Sequence, residues 1–571
     1  MGTHESIIPL PPRPRSTKAL RARALLAAIF LALCVVAAAS ATAPHPLQTA
    51  IVDPDVFTGP DAALGLEHAV SAGAGAIKIP LFWNEIAPAK KPRRFSPANP
   101  ADPAYNWASL DTQLRLVHAH GLTPIVYIAG APAWAFAKVD GASRADPAQY
   151  RAFALAAVRR YSGHTPGMPR VRYWQAWNEP NKVVGRSAKA GVTDWYATLV
   201  DAFAASVHSV AGNKVIAGGL APFGISTSVA PLTFMRRLLC VSAGSPPRPT
   251  CSRKLDFDIW STDPYTAGGP THVAAHAGDV SVAELPAMKS VLDAGVRAGH
   301  ISSGSAVRFW VTEFSWDSKP PDPGGVPAAL EGRWVSEALY RMWSAGVSLV
   351  TWFTLRDQPF ATSPYQSGLY YRGATLARDR PKPAFTAFRF PFVAFPQSGR
   401  VAVWGRTPTS AAGKVLVEQY VHAGWRRLAV LQANGVGIFL ARLHTTSRGP
   451  LRAVISPNGA TSLSFSLANV PDRTFQPFGA PMPALASASP SSSSSSAVSQ
   501  YVEVAPTASG RSGGGTGPPS ASAASADGSG SVVRAVADAV GSAGTDAGAF
   551  VAAILATTIW LLVAARRARR A

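Results

Sequence analysis

Cysteine is scarce in this chain, and the common metal-binding motifs are absent. The 571 residues include three cysteines, Cys34, Cys240 and Cys251, and neither Cys-x-x-Cys nor His-Glu-x-x-His occurs. A zinc site is therefore unsupported, and we expect no metal and no other cofactor. Cys34 falls in a leader described below. For the mature protein we predict a Cys240–Cys251 disulfide, with two free thiols as the alternative.

Acidic residues are also few. The chain has 32 Asp and Glu against 54 Lys and Arg, which gives a formal net charge of +22. Nine of the basic residues belong to the two chain ends, and the others are scattered without a long basic stripe. We therefore expect no nucleic-acid partner. The excess charge indicates a solvated basic surface or, alternatively, attraction to anionic cell-surface polymers.

An uncharged apolar stretch lies near each end of the chain. Residues 1–43 combine basic residues, an apolar run and small residues, a pattern typical of a secretory signal cleaved after Ala41 or Ala43. The 19 uncharged residues 547–565 would form a helix about 28 Å long, enough to span a bilayer. The basic residues in 566–571 predict a cytoplasmic tail. We thus expect a secreted, membrane-anchored protein on the extracellular face of the plasma membrane, with a buried core helix at 547–565 as the alternative.

Two further regions precede this predicted anchor. Residues 481–546 are mostly Ser, Ala, Gly and Pro, which predicts a flexible linker. Residues 396–480 contain short alternating runs separated by turn residues, the last of them at 462–467, which predicts a small antiparallel β-sandwich. This accessory domain could bind polysaccharide or hold the preceding domain away from the linker.

Residues 47–395 alternate between β-rich apolar runs and amphipathic helical patterns. This alternation predicts a parallel sheet covered by helices. We predict eight strands, at residues 49–53, 76–82, 123–128, 171–177, 214–219, 257–262, 308–312 and 348–354. Eight such units fit a (β/α)8 barrel, and a doubly wound open sheet is the alternative.

Two glutamates follow two of these predicted strands. Asn178-Glu179-Pro180 comes after the fourth strand, and Glu313 closes the seventh. Because barrel enzymes carry their active sites at the C-terminal ends of the strands, we expect both glutamates to face one site. Two carboxyl groups about 5–5.5 Å apart are the pair that retaining glycoside hydrolysis requires. The sequence therefore predicts a retaining glycosidase acting on a carbohydrate substrate.

The neighbours of the two glutamates suggest distinct roles. Apolar surroundings suit Glu179 to the general acid, with the Asn178 amide binding a substrate hydroxyl. Glu313 would be the nucleophile, held by the Tyr265 phenol. A rival pair is Glu179 with Glu85, which follows the second strand and would give an inverting mechanism.

Aromatic residues are frequent at the same strand ends. Sugar rings have apolar faces that stack on aromatic rings, so we predict substrate contacts among the residues that line this mouth. The candidates are Trp83, Trp134, Trp177, Trp316, Trp352 and Phe314. Core packing between strands and helices is the alternative for several of them.

The two glutamate motifs together resemble those of the clan A glycoside hydrolases, most closely families 39 and 5. In that clan Asn-Glu-Pro after strand four carries the acid/base, here Glu179, and a Glu on strand seven is the nucleophile, here Glu313. The resemblance covers roughly residues 50–395 and implies a substrate-contacting tryptophan on strand eight, matched by Trp352. Lys78 stands where the clan usually has Arg, and we expect it to belong to the substrate site and to supply positive charge near the nucleophile. Asp263 stands where many members have His.

Other functions are compatible with the same pattern. A barrel that binds carbohydrate without turnover, or a wall-organising surface protein that acts through the accessory domain, would not need both glutamates. The sequence does not predict the sugar, the linkage or the oligomeric state.

Overall fold

The computed structural model describes residues 45–139, 142–183, 191–360, 363–457 and 459–475. The predicted signal at 1–43, linker at 481–546, membrane span at 547–565 and tail at 566–571 lie outside these ranges. No helix within the described ranges is long and apolar enough to cross a membrane.

Eight parallel strands close into a barrel. In chain order they are β1 (Gln48–Val52), β2 (Ala76–Phe82), β3 (Thr123–Ala129), β4 (Tyr173–Ala176), β5 (Lys214–Leu220), β6 (Ile259–Thr262), β7 (Arg308–Phe314) and β8 (Val347–Phe353). Each strand pairs with its sequence neighbours, and β8 pairs with β1 to close the ring. All eight predicted strands are confirmed, and the barrel excludes the doubly wound sheet.

A helix follows each barrel strand. These are α1 (Ala62–Ser71), α2 (Ala108–Ala119), α3 (Pro147–Arg160), α4 (Val192–Val207), α5 (Pro231–Leu238), α6 (Leu285–Arg297), α7 (Ala328–Ser344) and α8 (Pro383–Arg389). The loops contain further short elements. These include helices at Pro54–Thr58 and Trp83–Ile86 and a two-stranded sheet formed by Phe136–Val139 with Ala142–Ala145. Asp146 caps α3 by accepting a hydrogen bond from the Ala148 N–H, and Pro147 supplies a preset first turn.

The barrel interior has an apolar layer beneath a polar one. Successive side chains of a strand point to opposite faces. Each strand contributes one residue to the apolar layer, namely Ala50, Ala76, Ile125, Tyr173, Ile216, Ile259, Trp310 and Leu349. Two residues further along several strands, the inward positions become polar, as at Lys78, Gln175, Ser261 and Thr351, all buried. The apolar layer thus fills the barrel below the polar groups, which lie near the C-terminal ends of the strands.

Six antiparallel strands follow the barrel and form two three-stranded sheets. They are β9 (Phe392–Gln397), β10 (Arg400–Arg406), β11 (Gly413–Val421), β12 (Gly424–Ala433), β13 (Ile438–His444) and β14 (Leu451–Ser456). The sheet orders are β9-β10-β13 and β12-β11-β14. A β domain after the barrel is therefore confirmed, with two differences in its strands. The predicted strand at 462–467 makes only isolated bridges such as Leu451 with Phe465. The strand β9 was not predicted because it follows α8 directly and begins inside the predicted barrel range.

The β domain packs firmly against the barrel. Trp404 of β10 stacks beside Trp343 of α7, with ring centroids 5.5 Å apart. The fully buried guanidinium of Arg406 donates to the Leu47 and Phe388 carbonyl oxygens at 2.9 Å, and burial lowers the pKa of Arg406 to about 10. This contact ties the start of β1 and the end of α8 to the second domain, which favours the packing role predicted for it.

The structure contains the predicted disulfide. Cys240 and Cys251 are bonded, with their Cα atoms 5.2 Å apart. The bond closes the loop that follows α5, on the flank of the barrel beside the first turn of α4, where Arg253 pairs with Asp194.

A buried carboxyl group on α7 gives the first testable expectation. Glu331 is fully buried, and neither of its carboxyl oxygens has a hydrogen-bond partner among the described residues. Burial, partly opposed by Lys382 and slightly reinforced by Asp357, raises the pKa of Glu331 from the ordinary 4.5 to about 8. Between about pH 4.5 and 8 the folded protein holds a proton that the unfolded chain has lost, so stability falls as pH rises through this window.

We expect Glu331→Gln to remove this loss. Near pH 5 the variant and the wild type should have similar free energies of unfolding. At pH 8 the free energy of unfolding of the variant should be higher by roughly 2–4 kcal/mol, since each unit of pKa shift corresponds to about 1.4 kcal/mol. Thermal unfolding across this pH range measures the difference. Glu337→Gln, on the same helix but paired with Arg341, is the matched control and should show no such pH dependence. A wild-type stability that does not fall between pH 5 and 8 would contradict the expectation.

Candidate active site

The segment after β4 holds Glu179 in a constrained turn. Trp177 and Glu179 both have left-handed backbone conformations, with φ of 67° and 48°, which is uncommon for residues with side chains and is typical of functional sites. The Glu179 N–H donates to the Gly219 carbonyl oxygen at 2.9 Å. Gly219 itself has φ of 60°, and a Cβ there would come within 2.6 Å of the Gln175 amide. The close approach of β4 and β5 at this point therefore requires a glycine.

Asn181 fixes the far side of this turn, a role that the sequence did not reveal. Its fully buried side chain donates to the carbonyl oxygens of Ala221 and Val229, both at 2.9 Å, and accepts from the Ala221 N–H. The Asn-Glu-Pro-Asn segment is therefore attached to the loop after β5. This attachment keeps Glu179 at the mouth of the barrel.

A local irregularity of β7 turns Glu313 into the barrel. The pairing of β7 with β8 shifts register between Val311 and Phe314, so Thr312 and Glu313 no longer alternate strictly between the two faces. Thr312 bonds to Asp263 within the interior, and Glu313 bonds to Lys78. The seventh strand therefore delivers two neighbouring polar side chains to the same interior.

Glu313 is buried and held by two partners. Lys78 Nζ lies 2.8 Å from Glu313 Oε1, and the side chains of both residues are almost fully buried. The Tyr265 hydroxyl donates to Glu313 Oε2 at 3.3 Å. These two contacts fix the position of the Glu313 carboxyl group inside the barrel.

Lys78 links the two predicted halves of the site. Its ammonium group also donates to Asn178 Oδ1 at 3.3 Å, next to Glu179 in the chain. Electrostatic repulsion from Glu313, and less strongly from Glu179, adds to burial in raising the pKa of Tyr127 well above its ordinary value. The residues predicted from strands two, four, six and seven therefore meet in one cluster, comprising Lys78, Asn178, Glu179, Tyr265 and Glu313. Glu85 also acts on Tyr127, so the rival carboxyl lies close to the same cluster.

Glu179 has a basic neighbour that the sequence analysis did not identify. Lys182, three residues further along, forms an ion pair with Glu179 Oε2. A cation at this distance stabilises negative charge on the carboxyl group. A role for Glu179 as proton donor would therefore require this pair to loosen when substrate enters.

Asp263 adds a third carboxyl group to the interior. Its side chain is fully buried and accepts a hydrogen bond from Thr312 Oγ1 at 2.7 Å. Burial and the negative charge of Glu313 raise its pKa well above the ordinary value, with Lys78 opposing. Its second oxygen has no hydrogen-bond partner among the described residues. The sequence flagged Asp263 only as a departure from the clan pattern.

Four of the five predicted tryptophans are held in packing contacts or hydrogen bonds with the protein itself. Trp83, Trp316 and Trp352 are at most 1% exposed and belong to the main core. Trp83 stacks on Phe153, Trp316 donates its indole N–H to the Gly268 carbonyl, and Trp352 donates to the Ser367 carbonyl. Trp134 is partly buried and donates to the Pro88 carbonyl. This packing supports the core alternative for these four residues, and none of their substrate contacts is supported by the structure.

Trp177, the fifth predicted tryptophan, belongs to one of two aromatic clusters near the C-terminal ends of the strands. Phe82, Tyr127 and Trp177 pack together at the ends of β2, β3 and β4. Across the opening, Phe353 and Tyr365 pack with Tyr265. On β8 the outward residue is Trp352 and the inward one is Phe353, because side chains alternate along a strand. The alternation of side chains along each strand could be predicted from the sequence. Which of the two alternating sets points into the barrel could not.

The described residues contain no group of three or more His, Cys, Asp or Glu side chains arranged to hold a metal ion.

Comparison with known proteins gives likenesses of low identity. No protein-family model and no curated protein matches the chain. It is similar to the solved structure of a family 39 glycoside hydrolase from the gut symbiont Bacteroides cellulosilyticus WH2, at 16% identity and a TM-score of 0.45 over 70% of this chain and 81% of that one. It is also similar to a GH39 enzyme from Xanthomonas axonopodis pv. citri, at 15% identity and a TM-score of 0.41 over 71% and 94%. A third similar structure is a glucosidase from Croceicoccus marinus, at 14% identity and a TM-score of 0.40 over 70% and 93%.

The ion pair of Lys78 with Glu313 gives a second testable expectation. Breaking a buried pair leaves an uncompensated charge and costs about 3–5 kcal/mol. In Lys78→Met we therefore expect a loss of stability on this scale and, because Glu313 and Asn178 lose the group that positions them, a fall of about 10²-fold or more in kcat/KM for any glycoside hydrolysed here. Lys78→Arg should retain more activity. The control is Lys214→Met. Lys214 is the first residue of β5 and pairs with Asp258, so this variant should lower stability with little effect on turnover. Equal losses of turnover in the two methionine variants would contradict the expectation.

Proposed function

We propose that this protein is a retaining glycoside hydrolase with Glu313 as nucleophile and Glu179 as acid/base. The observation that carries the proposal is the position of Lys78, whose ammonium group bonds both to Glu313 and to Asn178 beside Glu179. Two carboxyl groups from β7 and the β4 turn thus meet at the C-terminal mouth of a (β/α)8 barrel. This is where barrel enzymes carry their chemistry, and two carboxyl groups are the set that glycoside hydrolysis uses.

In the first step, the Glu313 carboxylate attacks the anomeric carbon of the bound sugar. The bond from that carbon to the leaving oxygen breaks, and Glu179 transfers its proton to this oxygen. The products are a glycosyl ester on Glu313 and a free alcohol end. Asn178 precedes Glu179 and accepts a hydrogen bond from Lys78, which leaves its amide N–H groups for a hydroxyl of the same sugar.

In the second step, the oxygen of a water molecule attacks the anomeric carbon while Glu179 accepts a proton from that water. The ester bond breaks, and Glu313 returns to the carboxylate form that Lys78 and Tyr265 stabilise. Two inversions at one carbon give overall retention of configuration.

We further propose that the substrate is a cell-surface or environmental polysaccharide. A signal at residues 1–43 and a membrane span at 547–565 would place the barrel outside the cell, on the extracellular face of the plasma membrane. The Cys240–Cys251 disulfide supports this location, because such bonds persist in oxidising compartments.

Product stereochemistry tests the proposal. The chain is incubated with aryl glycosides of several sugars and with wall polysaccharides, and the first anomer released is identified by proton NMR before mutarotation. We expect the configuration of the substrate to be kept. Inversion would favour the pair of Glu179 with Glu85, and binding without turnover of any substrate would favour a carbohydrate-binding barrel.

A further inference from the structure

We propose that the sugar cleaved in this site carries a protonated amino group, which binds to the carboxyl group of Asp263. The inference rests on the proposed glycosidase function and adds the class of substrate. The groups that carry it are Asp263, Gln175 and the charges around them.

The hydrogen-bond donors that contact Glu313 and Asp263 are supplied by the protein itself. Lys78 Nζ donates to Glu313 and Asn178, and the Tyr265 hydroxyl donates to Glu313. Thr312 Oγ1 donates to Asp263 Oδ1 at 2.7 Å. The Asn178 amide N–H groups remain for a hydroxyl of the substrate, but none of these contacts provides Asp263 Oδ2 with a donor.

The groups without a partner are mainly acceptors. Asp263 Oδ2 and Gln175 Oε1 are buried and have no hydrogen-bond partner among the described residues. The Gln175 amide is oriented by its own contact, since Nε2 donates to the Trp177 carbonyl oxygen at 2.9 Å, which leaves Oε1 to accept. The hydroxyl groups of Tyr127 and Thr351 also have no hydrogen-bond partner among the described residues, and each can either donate or accept a hydrogen bond.

These acceptors lie around the same part of the barrel. A Cβ atom built on Gly219 would lie 2.6 Å from Gln175 Nε2 and 3.6 Å from Thr312 Oγ1. Thr312 in turn bonds to Asp263. Gln175 and Thr312 therefore lie close to the same glycine, and Asp263 is one hydrogen bond further away.

The charges of the cluster do not balance. Glu179, Glu313 and Asp263 are three carboxyl groups, and the two ammonium groups of Lys78 and Lys182 pair with Glu313 and Glu179 respectively. Asp263 has no cationic partner of its own among the described residues, and an unpaired buried charge is costly. The pKa of Asp263, which burial and the charge of Glu313 raise well above its ordinary value, reflects this cost.

An ammonium group meets both requirements at once. It presents three N–H donors and no acceptor, whereas a hydroxyl group brings lone pairs and an acetamide brings a carbonyl oxygen. It also supplies the positive charge that allows Asp263 to ionise. An amino sugar with a free amine is therefore the ligand that complements the cluster best.

Binding measurements on the full chain in detergent test the proposal without requiring turnover. Oligomers of glucosamine and of galactosamine are titrated by calorimetry at pH 6.5 beside their N-acetylated and plain hydroxyl counterparts. We expect at least one amino oligomer to bind about 10-fold or more tightly than both counterparts. Asp263→Asn, which keeps the shape of the side chain, should reduce this preference to less than about twofold. Asp201→Asn, on α4 outside the barrel, removes the same charge and should leave the preference intact.

The outcomes separate this inference from the proposed function. Equal or weaker binding of the amino oligomers by the wild type overturns the inference, even if neutral glycosides are hydrolysed with retention. A preference that survives in a folded Asp263→Asn variant overturns the role of Asp263. If that variant does not fold, the same preference is measured in Asp263→Ser and compared with the preference of the wild type. Amino-oligomer binding through Asp263 without hydrolysis of any glycoside would overturn the proposed function alone.

Discussion

Glu313→Ala is expected to lower turnover of every glycoside by roughly 10⁵-fold or more, the scale seen when a covalent nucleophile is removed. The remaining space beside Lys78 admits a small anion. Added azide should therefore attack the anomeric carbon directly and restore turnover of an activated aryl glycoside. One displacement at that carbon gives a glycosyl azide of inverted configuration. The rates and the anomer are measured by aryl release and NMR.

Glu313→Gln is the control for this result. The amide keeps the size of the side chain, so it leaves no space for azide and should be inactive without rescue. Both variants remove the charge that faces the buried Lys78 ammonium group, so both should lose stability to a similar extent while remaining folded. Retained turnover in a folded Glu313→Ala variant would exclude Glu313 as the nucleophile.

Glu179→Ala is expected to affect substrates according to their leaving groups. General acid catalysis contributes about 10²–10⁴-fold, so unactivated glycosides should lose activity on that scale. Aryl glycosides with acidic phenols need no proton in the first step and should still react with Glu313. The second step then becomes slow, because no base remains to activate water.

Azide distinguishes this variant from the nucleophile variant. Azide needs no general base, so it should attack the glycosyl ester and give a product of retained configuration. Lys182→Met is a useful comparison, because it removes the cation beside Glu179 while leaving the carboxyl group in place. A Glu179→Ala variant whose loss of rate is the same for good and poor leaving groups would contradict the acid role.

The strand pattern of the barrel could be predicted closely from the sequence. Strands such as 76–82 combine apolar residues with clear breaks, and the structure has β2 at Ala76–Phe82. The glutamates were found because Asn178-Glu179-Pro180 and Glu313 stand at strand ends. Their convergence follows from the parallel order of the barrel, which brings all C-terminal strand ends to one face.

The aromatic contacts could not be predicted in the same way. Each strand offers two alternating faces, and a one-residue error exchanges the core for the mouth. Trp352 and Phe353 are adjacent, yet only Phe353 belongs to the cluster with Tyr265. The register shift in β7, which turns Glu313 inward, depends on the pairing with β8 and leaves no local signal. Contacts made through the fold, such as Lys78 with Asn178 a hundred residues away, are likewise invisible in the sequence.

Trapping the covalent intermediate tests the central claim most directly. In Glu179→Ala the glycosyl ester forms from an activated aryl glycoside but hydrolyses slowly, so it should accumulate. Rapid acid quenching followed by peptide mass analysis is then expected to find one added sugar residue on the peptide that contains Glu313, and none after azide treatment. Turnover of the same substrate without any adduct, or an adduct on a residue other than Glu313, would contradict the account.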